Sequence, residues 1–252
     1  MALSAAERYR AAWPRLVDEA SRGEKAAKIL AVLDACDGRD LAHATCVDVG
    51  CGSGIIAARL AERFERVVAC DVDRDGVAFA RGRAGAPNLH HVVADATRSP
   101  LRSSCADVVV CTHVYEHVAN ADCLVAEIHR LLKPGGVCFF SGPNALRLYE
   151  PHLRMYVVHW LPRRALNRLL RWAGRPPYEE RLRTRWQLTR LLRGFEVVDL
   201  NPVLVRDPVR FHTAGEPGMG LARRLPRPLL ALALALFAPS FNFLLRKAPG
   251  EG

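Results

Sequence analysis

Val47-Asp48-Val49-Gly50-Cys51-Gly52-Ser53-Gly54 is the stretch that decides the fold. A short β-branched run, Thr45–Val49, passes into a glycine-rich turn, and a helix is predicted to open at 55 and run to 64. Three glycines at alternate positions let the backbone approach a ligand closely, because no Cβ intervenes. In an open α/β sheet such a turn lies at the carboxyl end of its strand, where ligands bind. A tight turn without a ligand is the alternative. A dinucleotide fingerprint would need glycines at 50, 52 and 55. Position 55 is Ile, which disfavours a nicotinamide oxidoreductase.

Outward from this turn the chain alternates strands and helices. Further strand runs are Arg66–Asp71, 89–94, 107–111 and 137–141, with helical stretches over Arg74–Arg83 and 121–132. Leu124, Ile128, Leu131 and Leu132 fall at helical spacing, and Lys133-Pro134-Gly135-Gly136 stops that helix. Strands apolar on both faces, alternating with helices, predict a parallel sheet covered on both sides. After Pro143 the alternation breaks, and 145–193 reads as a mostly helical insertion rich in Arg, Trp, Tyr and Pro. Strand patterns return at 195–200 and 241–246, which can close the sheet edge as an antiparallel pair.

Each early strand delivers a polar residue to the same edge. Asp71 ends the second strand, 17 residues after Gly54, where a carboxylate can accept both ribose hydroxyls of a nucleoside. Its structural alternative is to help start the next helix, with Asp73 and Asp75. Asp95 follows the third strand and suits an exocyclic amine of adenine or, alternatively, a loop cap. The fourth strand runs into Cys111-Thr112-His113-Val114-Tyr115-Glu116-His117-Val118. A purely core role for these positions does not predict that coincidence.

At these residues the chain resembles class I S-adenosylmethionine-dependent methyltransferases, in particular the small-molecule group with a D-x-G-C-G-x-G turn. The matching pieces are VDVGCGSG (47–54), ACDVD (69–73), VVADATRSPL (92–101), ADVVVCTHVYEHV (106–118), LLKPGGVCFFSGPN (131–144) and RTRWQLTRLLRGFEVVDL (183–200). The resemblance implies a Rossmann-like, doubly wound sheet of seven strands, mostly parallel with an antiparallel last strand, plus the helical insertion. It implies S-adenosylmethionine as cofactor. Asp48, Gly50, Cys51, Gly52 and Gly54 would surround its methionine moiety and ribose. Asp71 would hold the ribose hydroxyls, Val72 would lie against adenine, and Asp95 and Ala96 would contact the adenine ring. Thr112 and His113 would line the floor near the sulfonium.

Methyl transfer from a sulfonium is an in-line displacement that asks chiefly for contact and alignment. A hydroxyl acceptor also needs its proton removed, and histidine titrates near neutral pH. His113 and His117 are therefore the candidate general bases, with a purely structural hydrogen bond as the alternative for each. His113, Glu116 and His117 also spell H-x-x-E-H, a conceivable three-ligand metal site. The loop is similar to that of ubiquinone-pathway O-methyltransferases, where an acid stands in place of His113 and a divalent ion is held. The departure at that first ligand makes a hard ion less suited, and no metal is expected.

Composition narrows the class. The chain has 252 residues, 50% hydrophobic and 25% charged, as in an ordinary globular protein. The N-terminus lacks the apolar core of a signal peptide, and no apolar run reaches the roughly 20 residues of a spanning helix. A cytoplasmic protein is expected, with a peripheral location at the inner membrane face as the alternative. Eight cysteines with no C-x-x-C read as reduced and mostly buried. Residues 1–144 carry 17 basic and 18 acidic side chains, whereas 145–252 carry 19 and 8, so the net charge of +10 belongs to the C-terminal part. Nucleic acid is not favoured, because the Asn/Asp-Pro-Pro-aromatic motif of amino-methylating enzymes and a Pro-Cys nucleophile are both missing after the fourth strand.

An anionic membrane surface is a candidate partner, with an ordinary solvated surface helix over the active site as the equal alternative. A helix over 161–172 places Arg164, Arg168 and Arg171 on one face and Leu166, Leu169 and Leu170 on another, with Trp160 and Trp172 near its ends. Residues 229–238 are apolar all round if helical, so they require burial in protein or lipid. The expected organisation is one methyltransferase domain over 1–252. Its parts are N-terminal helices (1–44), a cofactor-binding core (45–144), the basic insertion (145–193), and C-terminal strands with an apolar helix over 221–238 (194–252). The expected reaction is O-methylation of an amphiphilic, lipid-linked or glycan-type small molecule. The alternatives are N- or C-methylation of a soluble metabolite and a non-catalytic adenosylmethionine-binding or scaffold protein. The sequence does not fix an oligomeric state.

Overall fold

Strand β1 (Thr45–Val49) lies inside a parallel sheet, paired on one side with β2 (Arg66–Asp71) and on the other with β4 (Ala106–Thr112). The structure is a computed structural model that describes residues 17–83, 86–150, 153, 155–216 and 219–250. Strand β3 (Leu89–Val93) extends the sheet beyond β2, and β5 (Leu132–Pro143) extends it beyond β4. Two later strands complete it: β9 (Ser240–Arg246) runs antiparallel to β5, and β8 (Glu196–Asp199) pairs antiparallel with β9. The order β3-β2-β1-β4-β5-β9-β8 makes β9 the one strand opposed to the other six. A two-strand hairpin, β6 (Tyr149–Glu150) with β7 (Met155–Tyr156), stands apart from this sheet.

The strands are apolar on both faces because helices cover both. In β4, Val108 and Val110 point into one core while Val109 and Cys111 point into the other. Helices α1 (Glu19–Cys36), α2 (Ile55–Ala61) and α7 (Asn201–Arg206) pack on the first face through Ile29, Leu33, Leu60 and Leu204. Helices α4 (Ala121–Leu131) and α6 (Arg185–Leu191) pack on the second through Leu124, Ile128 and Leu188. Helix α3 (Arg74–Arg83) joins β2 to β3. Asp18 caps α1, Asn120 caps α4, and Thr184 with Gln187 forms a capping box on α6.

The predicted strands and the helix starts at 55, 74 and 121 agree with the structure to within a few residues. The Lys133-Pro134-Gly135-Gly136 turn ends α4 as expected, but as a bulge within β5: Ala106 pairs with Leu132 and Val108 next with Val137. Gly135 takes a positive φ of 72° there. The segment 145–193 holds helix α5 (Arg163–Trp172) and also the hairpin, a feature the sequence pattern does not announce. The apolar helix expected over 221–238 is two helices, α8 (Met219–Ala222) and α9 (Arg227–Phe237), with Pro226 as the N-cap of the second. Of the N-terminal helices expected over 1–44, α1 and a 3-10 turn at Leu41–His43 fall in the described residues, and 1–16 lie outside them. All eight cysteines are free thiols; Cys46, Cys51, Cys70, Cys111 and Cys138 are buried, and Cys123 is exposed. Among the described residues, no helix is long and apolar enough to cross a membrane.

Candidate functional site

Because β1 to β4 are parallel, their carboxyl ends share one sheet edge, and four loops meet there. The turn after β1 is tied to β2: Gly50 N and Cys51 N both donate to the Cys70 carbonyl, at 2.8 and 3.0 Å. Glycine at 50 is obligatory twice over. Its φ is +76°, and a Cβ there would sit 2.4 Å from Cγ2 of Val114. Gly54, at φ +75°, leaves room for Ala80 of α3, whose Cβ would lie 2.6 Å from an added Cβ. These glycines let the turn close against the loop after β4 and against α3.

Asp71 organises this turn. Its Oδ2 accepts from Gly52 N at 2.8 Å and its Oδ1 from Asp73 N at 3.0 Å, so both oxygens are fixed at the end of β2. Helix initiation falls to the next acid, since Asp73 Oδ1 accepts from Asp75 N at 3.1 Å. Val72 beside Asp71 is 70% exposed, an unusual position for valine at a sheet edge. Asp95, just past β3, accepts from Thr97 N and Oγ1 through Oδ1 at 2.8 and 2.7 Å, and Ala96 follows it. Cys51 is buried, and burial pushes its thiol well above the ordinary range.

Asp48 is buried in β1, and its Oδ2 has no hydrogen-bond partner. Burial first, and then the charge of Asp71, push its carboxyl up to about 7, while Arg22 of α1 pulls it down. An orphaned acceptor beside the glycine turn suits a ligand that brings N–H donors and positive charge. The amino acid portion of S-adenosylmethionine has both, and the paired oxygens of Asp71 suit a ribose.

The loop after β4 supplies the other wall. Thr112 ends the strand opposite Ser141. His113 follows with φ +57°, a left-handed conformation uncommon outside glycine, and its N–H donates to the Ser141 carbonyl at 2.8 Å. Nδ1 of His113 lies 3.4 Å from Oε1 of Glu116, and Nε2 of His117 lies 3.9 Å from the same oxygen. Glu116 is buried, His113 is partly open and His117 is exposed. Burial lowers the His113 pKa below its ordinary value, partly offset by Glu116. Burial would raise the Glu116 carboxyl, but the His113 hydrogen bond and the charges of His113 and His117 outweigh it and hold it below its usual range.

The two histidines thus share one carboxylate oxygen. Among the described residues, no three His, Cys, Asp or Glu side chains are grouped as a metal site, and this includes His113, Glu116 and His117.

Several residues here carry no local signal in sequence. Tyr115 is buried under Gly142, where an added Cβ would meet its ring at 2.4 Å, and its hydroxyl donates to the Pro143 carbonyl. Lys25 of α1 is half-buried, and desolvation lowers its ammonium to about 8, with Arg22 and Lys28 adding to the effect. Arg181 N donates to the Glu116 carbonyl at 2.9 Å, which ties the end of the insertion to the histidine loop. Tyr115 belongs to the histidine loop itself, whereas Lys25 and Arg181 come from distant elements.

Residues 47–140 match a family profile described as a methyltransferase domain. The chain is similar to a "Probable S-adenosylmethionine-dependent methyltransferase" of Mycolicibacterium smegmatis, 36% identical over 111 residues covering 44% of this chain and 40% of that protein. It is similar to the ubiquinone biosynthesis O-methyltransferase of Rickettsia prowazekii, 32% identical over 128 residues covering 49% of this chain and 51% of that protein. The chain spans about half the length of the curated relatives it matches. Among solved structures, an S-adenosylmethionine dependent methyltransferase from Mesorhizobium loti has a TM-score of 0.56 at 18% identity, covering 86% of this chain and 98% of that one. Likeness at that identity is a likeness of fold.

Proposed function

We propose that this chain, built around a class I S-adenosylmethionine-dependent methyltransferase domain, methylates a hydroxyl oxygen on a small amphiphilic acceptor, working in the cytoplasm at an anionic membrane face. The observation that carries this reading is His113, its Nδ1 against Glu116, held at the same sheet edge as the glycine turn, Asp48 and Asp71. The names of the relatives, O-methyltransferases among them, support oxygen as the acceptor atom.

S-adenosylmethionine supplies a methyl group already activated on a cationic sulfur, so the chain's own residues need only bind, align and take one proton. Asp48 would accept from the ammonium of the methionine moiety. Gly50, Cys51, Gly52 and Gly54 would line that moiety and the ribose. Asp71 would accept from the ribose hydroxyls, and Val72, Asp95 and Ala96 would frame the adenine. Thr112 would form the floor. With the methyl given to the acceptor oxygen and the sulfur keeping the bonding pair, Nε2 of His113 would take the hydroxyl proton. Glu116, at Nδ1, fixes the tautomer that leaves Nε2 free and stabilises the imidazolium that forms. His117 is the second candidate base, on the solvent side of the same carboxylate. Residues 1–252 act together in this reading, the 145–193 segment covering the acceptor side.

Calorimetry with S-adenosylmethionine tests the reading. Wild type binds, whereas Asp71→Ala and Gly52→Arg lose at least about tenfold in affinity while remaining folded by circular dichroism. A folded wild type that binds neither S-adenosylmethionine nor S-adenosylhomocysteine overturns it.

A further inference from the structure

The hairpin β6–β7 and the turn after it expose six large apolar side chains within fourteen residues: Leu148, Tyr149, Tyr156, Val157, Trp160 and Leu161. They form one surface. The rings of Tyr149 and Tyr156 are 5.0 Å apart, Val157 N donates to the Leu148 carbonyl at 2.7 Å, and Trp160 N donates to the Val157 carbonyl at 3.1 Å. Val157 sits at φ +51°, a strained conformation for a β-branched residue.

Beneath the surface lies a buried polar cluster that holds it in place. Glu150 is fully buried and accepts from Arg147, from Tyr178 Oη at 3.3 Å, and contacts His159 Nε2 at 2.7 Å. Leu166 and Leu170 of α5 pack on Val158 and Tyr178. The apolar face of α5 is therefore used internally, and its arginines face outward. The exposed aromatic surface is fixed and has no cover from the described residues.

Charge identifies what it meets. Residues 151–178 contain six arginines and no acid. Arg163, Arg164, Arg168, Arg171 and Arg175 are exposed on the helix that packs against Val158 of this segment and on the turn after it, and Arg163 and Arg175 donate to backbone carbonyls. A second copy of the chain seated there would set arginine against arginine. Exposed aromatic and aliphatic side chains beside an arginine-rich helix instead match an anionic bilayer, with rings at headgroup depth and guanidinium groups on phosphates.

We propose that the exposed apolar residues 148–149, 156–157 and 160–161, together with the arginines of α5, are the membrane-docking face, and that they seat this sheet edge on an anionic bilayer. The proposal rests on the methyltransferase reading only for its purpose, which is to bring a membrane-held acceptor to His113. The connection is short. The hairpin follows β5 at the carboxyl edge, and Arg181 at the far end of the segment bonds the Glu116 and Ala119 carbonyls. Asn144, at the root of the hairpin, also donates to the Leu236 carbonyl at 2.9 Å, so the exposed Leu236 and Phe237 at the end of α9 border the same region.

Co-sedimentation of the full chain with vesicles tests this. One set contains phosphatidylglycerol and phosphatidylcholine at one part to three, the other phosphatidylcholine alone. Wild type binds the anionic set at low salt and is released by high salt. The paired variants Tyr156→Ser/Trp160→Ser and Arg164→Glu/Arg168→Glu each lose about tenfold or more, and Leu232→Ser on α9 changes little. Affinity for S-adenosylmethionine, measured in parallel, stays constant in all of them, which shows that they fold and separates this proposal from the methyltransferase reading. Wild type that ignores anionic vesicles, paired variants that bind as wild type, or binding abolished by Leu232→Ser alone overturns the docking face. So does a dimer in sedimentation equilibrium that Trp160→Ser dissolves, since a second copy would then cover the patch.

Discussion

Replacing Asp48 with Asn removes an acid that the folded chain holds in its proton-bound form over much of the neutral range. The carboxyl is 2% exposed, its Oδ2 is unpartnered, and it titrates near 7 instead of 3.8. Ionising it in place therefore costs about 4 kcal/mol, at about 1.4 kcal/mol for each pH step. Between those two pH values the native chain holds a proton that the unfolded chain has released. The contribution of this group to stability is thus full below about pH 4 and falls as pH rises through 7. From pH 5 to pH 8 that linkage removes about 2.5 kcal/mol from the wild type and nothing from Asp48→Asn, which cannot ionise. Urea unfolding of both proteins at several pH values gives the difference directly, since every other titrating group is common to the two. Parallel profiles for the two proteins would refute the reasoning. The same linkage appears in binding: a cationic ligand favours the ionised carboxyl, so S-adenosylmethionine releases about half a proton at pH 7 from wild type and none from the variant. Calorimetry in two buffers of different ionisation enthalpy reads that number.

Glu116→Gln removes the negative charge beside His113, and the imidazole pKa falls further below its usual value, because the carboxylate is what partly offsets burial there. Nitrogen-15 shifts of the His113 ring, followed with pH, show the drop together with a loss of preference for the Nδ1–H tautomer; an unchanged titration contradicts the pairing. Gly142→Ala drives a Cβ to 2.4 Å from the buried Tyr115 ring, and it lowers stability by about 1–3 kcal/mol as other overpacked sites do, measured as a drop in urea midpoint.

The proposed donor half of the site is legible in sequence because its signals are local. Gly50, Gly52 and Gly54 are read from one turn, and all three have positive φ. Asp71 sits at a strand end set by the β-branched run before it, and Asp95 stands just past another. The insertion is held together across separations of tens of residues. The cluster of Arg147, Glu150, His159, Tyr178 and Glu180 draws on three segments, and nothing in the spacing between those segments marks them as partners. The hairpin strands are two residues each, too short for alternation to register. Helix α9 is the instructive difference. Its composition required cover on every side, yet Leu230 alone is buried, against Val205, while Leu229, Leu232, Leu236 and Phe237 stay exposed. Composition reports the need for burial, and topology determines whether the chain itself meets it.

The boundary between these halves runs through His113. The matched profile ends at residue 140, within β5, so the glycine turn, the two strand-end acids and the histidine loop fall inside it, and everything from the hairpin to α9 falls outside. A fold that hosts many acceptors keeps what binds the common donor on the strand ends and places what differs on the segments between β5 and β9. His113 belongs to the first group by position and to the second by contact. Its backbone is fixed by Ser141 of β5, its ring by Glu116, and the Glu116 carbonyl by Arg181 at the end of the insertion. A change in the insertion therefore reaches the proposed base through two hydrogen-bonded steps without touching the donor residues. Arg181→Pro, which deletes the N–H donated to Glu116, should leave affinity for S-adenosylmethionine intact while altering the His113 titration, and loss of both together would place the insertion in the donor site instead.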